Sequence, residues 1–204
     1  MADFSKKWPV VEDVQPLKIL FLGDDQVGKS TFIDNYRNYM SASHGTEFSG
    51  GPFLRFTQSL FNIKRGGKQV PIQLLDLQGG LTKKDRKQQY PIEVKSAVIC
   101  FAIDNPNSFD NVRRVWIPEF QQKYPRYIRM FLLGLKSDAR VKILPSNSIV
   151  TVEKVIETLQ GCEFSGNYYE CSCQENPEEA RICMEKLISE ILMYLPCEFP
   201  SQEL

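Results

Sequence analysis

Neither sign of charge prevails in this chain: 25 lysines and arginines stand against 25 aspartates and glutamates over 204 residues. That balance removes the electrostatic case for a nucleic acid or an anionic membrane as partner. Residues 1–16 are too polar for a signal segment or a transmembrane helix. The final Ser201-Gln202-Glu203-Leu204 is not a C-a-a-X prenylation signal, and no polybasic run precedes it. The expectation is a cytoplasmic protein without a membrane anchor of its own, monomeric outside its complexes. Six cysteines (100, 162, 171, 173, 183 and 197) lack a preceding secretory segment. With Cys100 in an apolar run and Cys183 in an expected helix, reduced thiols are favoured over a disulfide framework. Internal repeats and long low-complexity segments are absent. The single histidine, His44, reads as a loop residue before it reads as a catalytic base. What is present, 42% hydrophobic and 25% charged residues, suits one soluble domain with a full core.

Residues 23–30 read G-D-D-Q-V-G-K-S, a complete G-x-x-x-x-G-K-[ST] phosphate-binding loop. An apolar run at 17–22 precedes it as a strand, and residues from Lys29 onward open a helix, which is the context the motif requires. Glycines let successive backbone N–H groups converge on phosphate oxygens, and the helix N-terminus adds partial positive charge. Lys29 can reach the terminal phosphates and the Ser30 hydroxyl can ligate Mg2+.

The rest of the chain alternates strands with helices. Residues 1–16 read as an extension, and 37–53, rich in Ser, Gly and Pro, as a loop. Strands are expected at 54–64 and 70–77, joined by a Gly66-Gly67 hairpin turn, with Pro71 at an edge or strand-start position. Residues 79–91 read as a basic loop leading into a short helix. Residues 97–103 form an apolar run for a strand buried on both faces. Residues 105–124 show helical spacing through Phe109, Val112, Val115, Trp116 and Phe120, with Pro118 set to kink or divide the helix. A strand at 130–135 and a connector at 139–149 follow. Next come a helix at 151–160, with Val152, Val155, Ile156 and Leu159 inward, and a strand at 167–171. The last helix, 178–195, faces the core with Ile182, Leu187, Ile191 and Leu192. This pattern means a three-layer α/β sandwich.

A phosphate-binding loop alone leaves kinases, ATPases and GTPases open. Three strand ends narrow the choice. Asp76-Leu77-Gln78-Gly79 offers a carboxylate that can hold Mg2+ through water, and a Gly79 N–H that can sense a terminal phosphate. Leu135-Lys136-Ser137-Asp138 offers a carboxylate able to accept hydrogen bonds from guanine N1 and N2, with the Lys136 stem available to cover the base. Glu170-Cys171-Ser172-Cys173 offers backbone N–H groups toward guanine O6. Ligands of open sheets bind at such strand ends. An ATPase or kinase would share the loop but leaves Asp138 unexplained.

Across roughly residues 17–195 the chain resembles the small GTPases of the Ras superfamily, and most of all the Rho branch. The resemblance is carried by the loop, by Gly134 to Asp138 as a variant of G-T-K-x-D, and by Tyr169-Glu170-Cys171-Ser172 in place of L-E-C-S. Val115-Trp116-Ile117-Pro118-Glu119 resembles the W-x-P-E segment, and Asp85-Arg86 with Tyr90-Pro91 resembles the second switch. The resemblance implies a mostly parallel six-stranded sheet with one antiparallel edge strand and five helices, the P-loop NTPase fold. It divides the chain into an extension (1–16), a GTPase domain (17–195) and a tail (196–204). It implies GTP or GDP with Mg2+, and effector or regulatory proteins meeting switch segments 37–52 and 79–91. The implied nucleotide-binding residues are Gly23, Asp25, Gln26, Val27, Gly28, Lys29, Ser30, Thr31, Thr46, Asp76, Gly79, Lys136, Asp138, Ser172 and Cys173, with Ser30 and Thr46 on the metal. Thr46 lies closer to the loop than the family spacing, so a shortened loop must carry it in; a plain surface threonine is the alternative. Tyr36 and Tyr39 can flank the base or ribose, or pack as helix aromatics.

The departures concern turnover. Gly80 occupies the position of the family's catalytic glutamine and cannot orient a water; Gln78 is a poor substitute. Asp25 stands where the family has a glycine next to that water, and its carboxylate opposes phosphate unless it turns outward. Leu135 removes a polar tie to the phosphate loop, and Cys173 replaces an alanine. The expectation is a Rho-like guanine-nucleotide-binding switch with slow or absent hydrolysis. The alternative is a pseudo-GTPase scaffold with a vestigial site.

Overall fold

The computed structural model describes residues 15–44, 56–65, 68–78, 80–142, 149–160, 164 and 166–194. Six strands form one sheet: β1 (Leu17–Gly23), β2 (Phe56–Arg65), β3 (Lys68–Leu77), β4 (Ser96–Ala102), β5 (Arg129–Leu135) and β6 (Tyr168–Cys171). Their order is β2-β3-β1-β4-β5-β6. Only β2 runs antiparallel, against β3, with Arg65 opposite Lys68; the other neighbours are parallel. The expected Gly66-Gly67 turn lies outside the described residues. Pro71 is not on an edge strand, since β3 lies between β2 and β1, but it precedes the first β1 pairing, Leu17 with Ile72.

The helices are α1 (Lys29–His44), α2 (Lys83–Gln89), α3 (Pro106–Asn111), α4 (Ile117–Lys123), α5 (Ala139–Lys142), α6 (Val152–Gln160) and α7 (Pro177–Met193). The central strands are mostly apolar because each buries both faces. In β1, Ile19 and Phe21 enter a core with Phe32, Tyr36 and Met184. Leu20 and Leu22 enter the opposite core with Phe101, Phe109 and Trp116. Each such side chain contributes about 1.5–3 kcal/mol of transfer free energy.

Several expectations need correction. Residues 37–44 are helix, not loop: Tyr36 and Met40, one turn apart, are both buried, and Arg37 pairs with Asp34 at 2.7 Å. His44 therefore ends a helix. Val152 and Ile156 are 39% and 47% exposed, while Val155 and Thr158 are buried, so α6 is rotated from its apolar stripe. Ile182 of α7 is likewise exposed; Ala180, Cys183, Met184 and Ile188 join Leu187, Ile191 and Leu192 against the sheet. The connector after Asp138 begins with the short helix α5.

The long helix is divided, as Pro118 required, but by a wide turn. Between α3 and α4, residues Val112–Trp116 adopt π-helical geometry, and the Ile117 N–H donates to the Val112 carbonyl. Proline cannot donate to the preceding turn, and the wider ring absorbs the lost bond. Asn105, Thr82 and Asn176 cap α3, α2 and α7 by accepting from Ser108, Asp85 and Glu179 N–H groups.

Candidate functional site

The C-terminal ends of β1, β3, β4, β5 and β6 open on one cavity of about 960 Å3. It lies where the strand order reverses, between β1 and β4. The loop after β1 makes its floor. Gly23 has φ +146°, and a Cβ there would lie 2.3 Å from the Cys100 carbonyl oxygen, so only glycine lets β1 end against β4. Gly28 has φ +106°, and Gln26 also turns left-handed at φ +59°. Asp25, Gln26, Gly28, Lys29, Ser30 and Thr31 line the cavity. Val27 is instead buried in the α1 side of the core and anchors the loop from beneath.

Lys29 is buried, and its ammonium donates to the Gly23 carbonyl at 3.0 Å and the Asp24 carbonyl at 2.8 Å. The Ser30 hydroxyl donates to Asp76 Oδ2 at 2.5 Å. Asp76 Oδ1 is buried with no hydrogen-bond partner. Burial holds the Asp76 carboxyl above its ordinary pKa, opposed by the Ser30 hydrogen bond and the Lys29 charge. A hydroxyl and a free carboxylate oxygen at a helix N-terminus form the hard oxygen set that suits Mg2+.

Asp25 is exposed and its Oδ1 accepts from the Gln26 N–H at 3.0 Å. Its Oδ2 lies 3.7 Å from the position a Cβ would take on Gly80. The two departures from the family pattern thus meet in space. At Leu135 the lost polar tie is replaced by packing: its side chain comes within 3.6 Å of where a Gly28 Cβ would sit.

At the other end, Asp138 Oδ1 accepts from the Ser172 hydroxyl at 2.7 Å, and Oδ2 accepts from the Lys142 ammonium at 3.1 Å. The Ser172 hydrogen bond, then Lys142, holds the Asp138 carboxyl below the usual carboxylate range. Lys136 has φ +61° and donates to Asp104 Oδ2 at 3.2 Å, while Asp104 Oδ1 is buried without a partner. Cys173 lines the cavity wall. Thr46 and Gly79 lie outside the described residues. Tyr36 and Tyr39 do not line the cavity: Tyr36 packs edge-on against Phe61, and the Arg181 guanidinium stands over Tyr39. Among the described residues no group of three His, Cys, Asp or Glu is set to hold a metal, and Cys171 and Cys173 form no such site.

Sequence motifs missed a second set of contacts. Asp24 Oδ1 accepts from the Trp116 indole N–H at 2.8 Å and Oδ2 from the Asn111 amide at 2.6 Å, across some ninety residues of chain. Arg86 of α2 stacks over the Trp116 ring at 4.8 Å and forms a bidentate pair with Glu119 at 3.0 and 2.8 Å. The 23–30 loop is thereby joined to α2 through the π turn. Lys142 had one legible signal, its spacing of four from Asp138 on a helix.

The family model of the Ras family matches residues 18–193. Human Rho-related GTP-binding protein RhoF is 29% identical over 174 residues, 80% of this chain and 78% of that protein. Rho-related protein racI of Dictyostelium discoideum is 32% identical over 127 residues, 61% of this chain and 58% of that protein. Rho-related protein racC of Entamoeba histolytica is 26% identical over 195 residues, 88% and 92% of the two chains.

Proposed function

The chain belongs to the Ras family, and from that premise we propose that it is a Rho-like guanine-nucleotide switch that holds GTP and hydrolyses it slowly or not at all. The observation that carries this reading is the single cavity in which Lys29, Ser30, Asp76 and Asp138 converge, with Asp25 beside Gly80. Lys29 exchanges its two carbonyl partners for phosphate oxygens, and the N–H groups of the 23–30 loop receive the rest of the phosphate charge. Ser30 and the free oxygen of Asp76 would hold Mg2+, directly or through water, with Thr46 of the first switch as a further ligand. Bound Mg2+ supplies charge neutralisation at the terminal phosphates. Asp138 accepts from the guanine edge, Ser172 fixes its orientation, and Lys136 covers the base. Gly80 offers no amide to orient water, and Asp25 places a carboxylate where a glutamine at that position would have to work.

The domain runs over 17–195, between the segments 1–16 and 196–204. The protein is cytoplasmic and monomeric outside its complexes. Effector or regulatory proteins meet it through segments 37–52 and 79–91, the first of which starts within α1. Among the described residues no helix is long and apolar enough to cross a membrane.

The anchoring of α2 favours a second reading. Arg86 holds α2 to Glu119 and Trp116 through a largely buried network, which supports a scaffold surface that does not depend on the terminal phosphate. Titrations with GDP and GTP, with and without Mg2+, followed by single-turnover hydrolysis, separate the two. Micromolar or tighter guanine-nucleotide binding that requires Mg2+, with turnover far below family norms, supports the switch. Absence of binding to either nucleotide leaves the scaffold.

A further inference from the structure

The base end of the cavity carries a closed ring of hydrogen bonds that no sequence motif contains. Ser172, in the turn between β6 and α7, donates to Asp138 Oδ1 at 2.7 Å. The same hydroxyl oxygen accepts from the Glu175 N–H at 3.3 Å, which fixes where the Glu175 side chain starts. Glu175 Oε1 accepts from the Lys142 ammonium at 2.6 Å, and that ammonium also donates to Asp138 Oδ2 at 3.1 Å. Asp138, Lys142 and Ser172 all line the cavity, so the ring stands on its wall. The neighbouring cation, Lys136, is paired elsewhere, with Asp104. The Lys142 and Glu175 side chains are 53% and 57% exposed. Packing therefore holds neither, and the ammonium can shift between its two carboxylates.

We propose that Lys142, in a role that rests on the guanine-nucleotide reading above, is a specificity-determining residue: it competes with the base for Asp138 and passes to Glu175 when guanine binds. A carboxylate oxygen can accept more than one hydrogen bond. Ser172 uses part of that capacity on Oδ1 and Lys142 part of it on Oδ2. A charged donor holds an acceptor more strongly than the neutral N–H groups of guanine N1 and N2, so the base meets a carboxylate already engaged. The Ser172 bond favours the base, because it orients the carboxylate and brings no net charge. The Lys142 bond opposes it. The ammonium is not left unpaired on release, since its shorter contact is the one to Glu175. Adenine offers Asp138 no such pair of donors and has no need to displace Lys142, so the cation acts against guanine alone. The ring thus compresses the preference for guanine over adenine, and Glu175 limits that loss.

The test measures GDP and ADP affinities of the full-length protein by competition titration with Mg2+ at low ionic strength, in wild type, Lys142→Met and Glu175→Gln. Both side chains are exposed, so neither substitution disturbs the core. Lys142→Met should tighten GDP about fivefold, the upper end for an exposed ion pair, and leave ADP unchanged. Glu175→Gln should weaken GDP about fivefold, again without moving ADP, because the ammonium then has only Asp138. The double variant Lys142→Met/Glu175→Gln should match Lys142→Met, since Glu175 acts only through the ammonium. Added salt should shrink both differences. A long-range effect of charge on an anionic ligand predicts the opposite signs: weaker binding on loss of the cation, tighter on loss of the carboxylate, with GDP and ADP moving together. That pattern overturns the proposal. GDP binding with an unchanged GDP-to-ADP ratio in Lys142→Met overturns it and leaves the nucleotide reading intact, whereas wild type and variants that bind no GDP overturn both.

Discussion

Restoring a glutamine at position 80 should not restore turnover while Asp25 remains. Gly80 sits at an ordinary backbone angle, and an added Cβ meets nothing nearer than Asp25 Oδ2 at 3.7 Å. Gly80→Gln is therefore sterically free and, at an exposed position, should change stability by no more than about 0.5 kcal/mol. Its amide, however, would stand beside a carboxylate, to which an N–H donates more strongly than to a neutral water. The side chain is drawn to Asp25 and away from the attacking water. Displacing a reacting group by about 1 Å costs on the order of 10²-fold in rate, which is about 2.7 kcal/mol of barrier. The single variant should thus stay within about twofold of wild type, whereas Asp25→Gly/Gly80→Gln should hydrolyse GTP on the order of 10²-fold faster. Single-turnover hydrolysis of preloaded GTP under saturating Mg2+ reads both. A rise of about tenfold or more (roughly 1.4 kcal/mol) in Gly80→Gln alone would refute the coupling of the two positions.

Three further outcomes follow from the same geometry. Burial raises the Asp76 carboxyl, so the folded chain binds that proton more tightly than the unfolded one. Nucleotide-free stability should then rise as pH falls through the folded value and level off below the ordinary carboxylate value. Denaturant midpoints across pH should show this slope in wild type and lose it in Asp76→Asn, which should also weaken Mg2+-dependent GTP binding about 10–100-fold. Asp138→Asn removes a charge-assisted pair of acceptors; guanine-over-adenine preference in competition titrations should shrink about 10–100-fold, the size of 1.5–3 kcal/mol. Arg86→Ala leaves Glu119 buried without its cation, and urea unfolding should show a loss of about 3 kcal/mol, against under about 1 kcal/mol for an exposed pair such as Lys154 with Asp110.

The parts legible in the sequence were those fixed by local physics. The apolar run before the 23–30 loop, the glycines within it and the carboxylates closing β3 and β5 each report a strand end, and strand ends define the cavity. Where two faces compete, pattern alone fails. On α6 the apolar stripe of Val152, Val155, Ile156 and Leu159 holds for Val155, which is buried, yet Val152 and Ile156 are exposed and Thr158 is buried. At the end of α1 the small polar residues Ser41 and Ser43 read as loop, while burial of Tyr36 and Met40 carries the helix on to His44. Leu135 read as a lost tie, since a missing polar group is visible in a sequence and the apolar contact replacing it is not. The bonds from Trp116 and Asn111 to Asp24 join residues 92 and 87 positions apart; no period or motif encodes such a distance.

The proposed function is a site that holds GTP and does not readily cleave it. The most direct measurement is chromatography of the nucleotide released by denaturing freshly purified, full-length protein. Guanine nucleotide near one equivalent, mostly GTP, with no adenine nucleotide, is the expected result. A chain that elutes empty, or one carrying GDP alone and hydrolysing added GTP at an ordinary family rate, would contradict it.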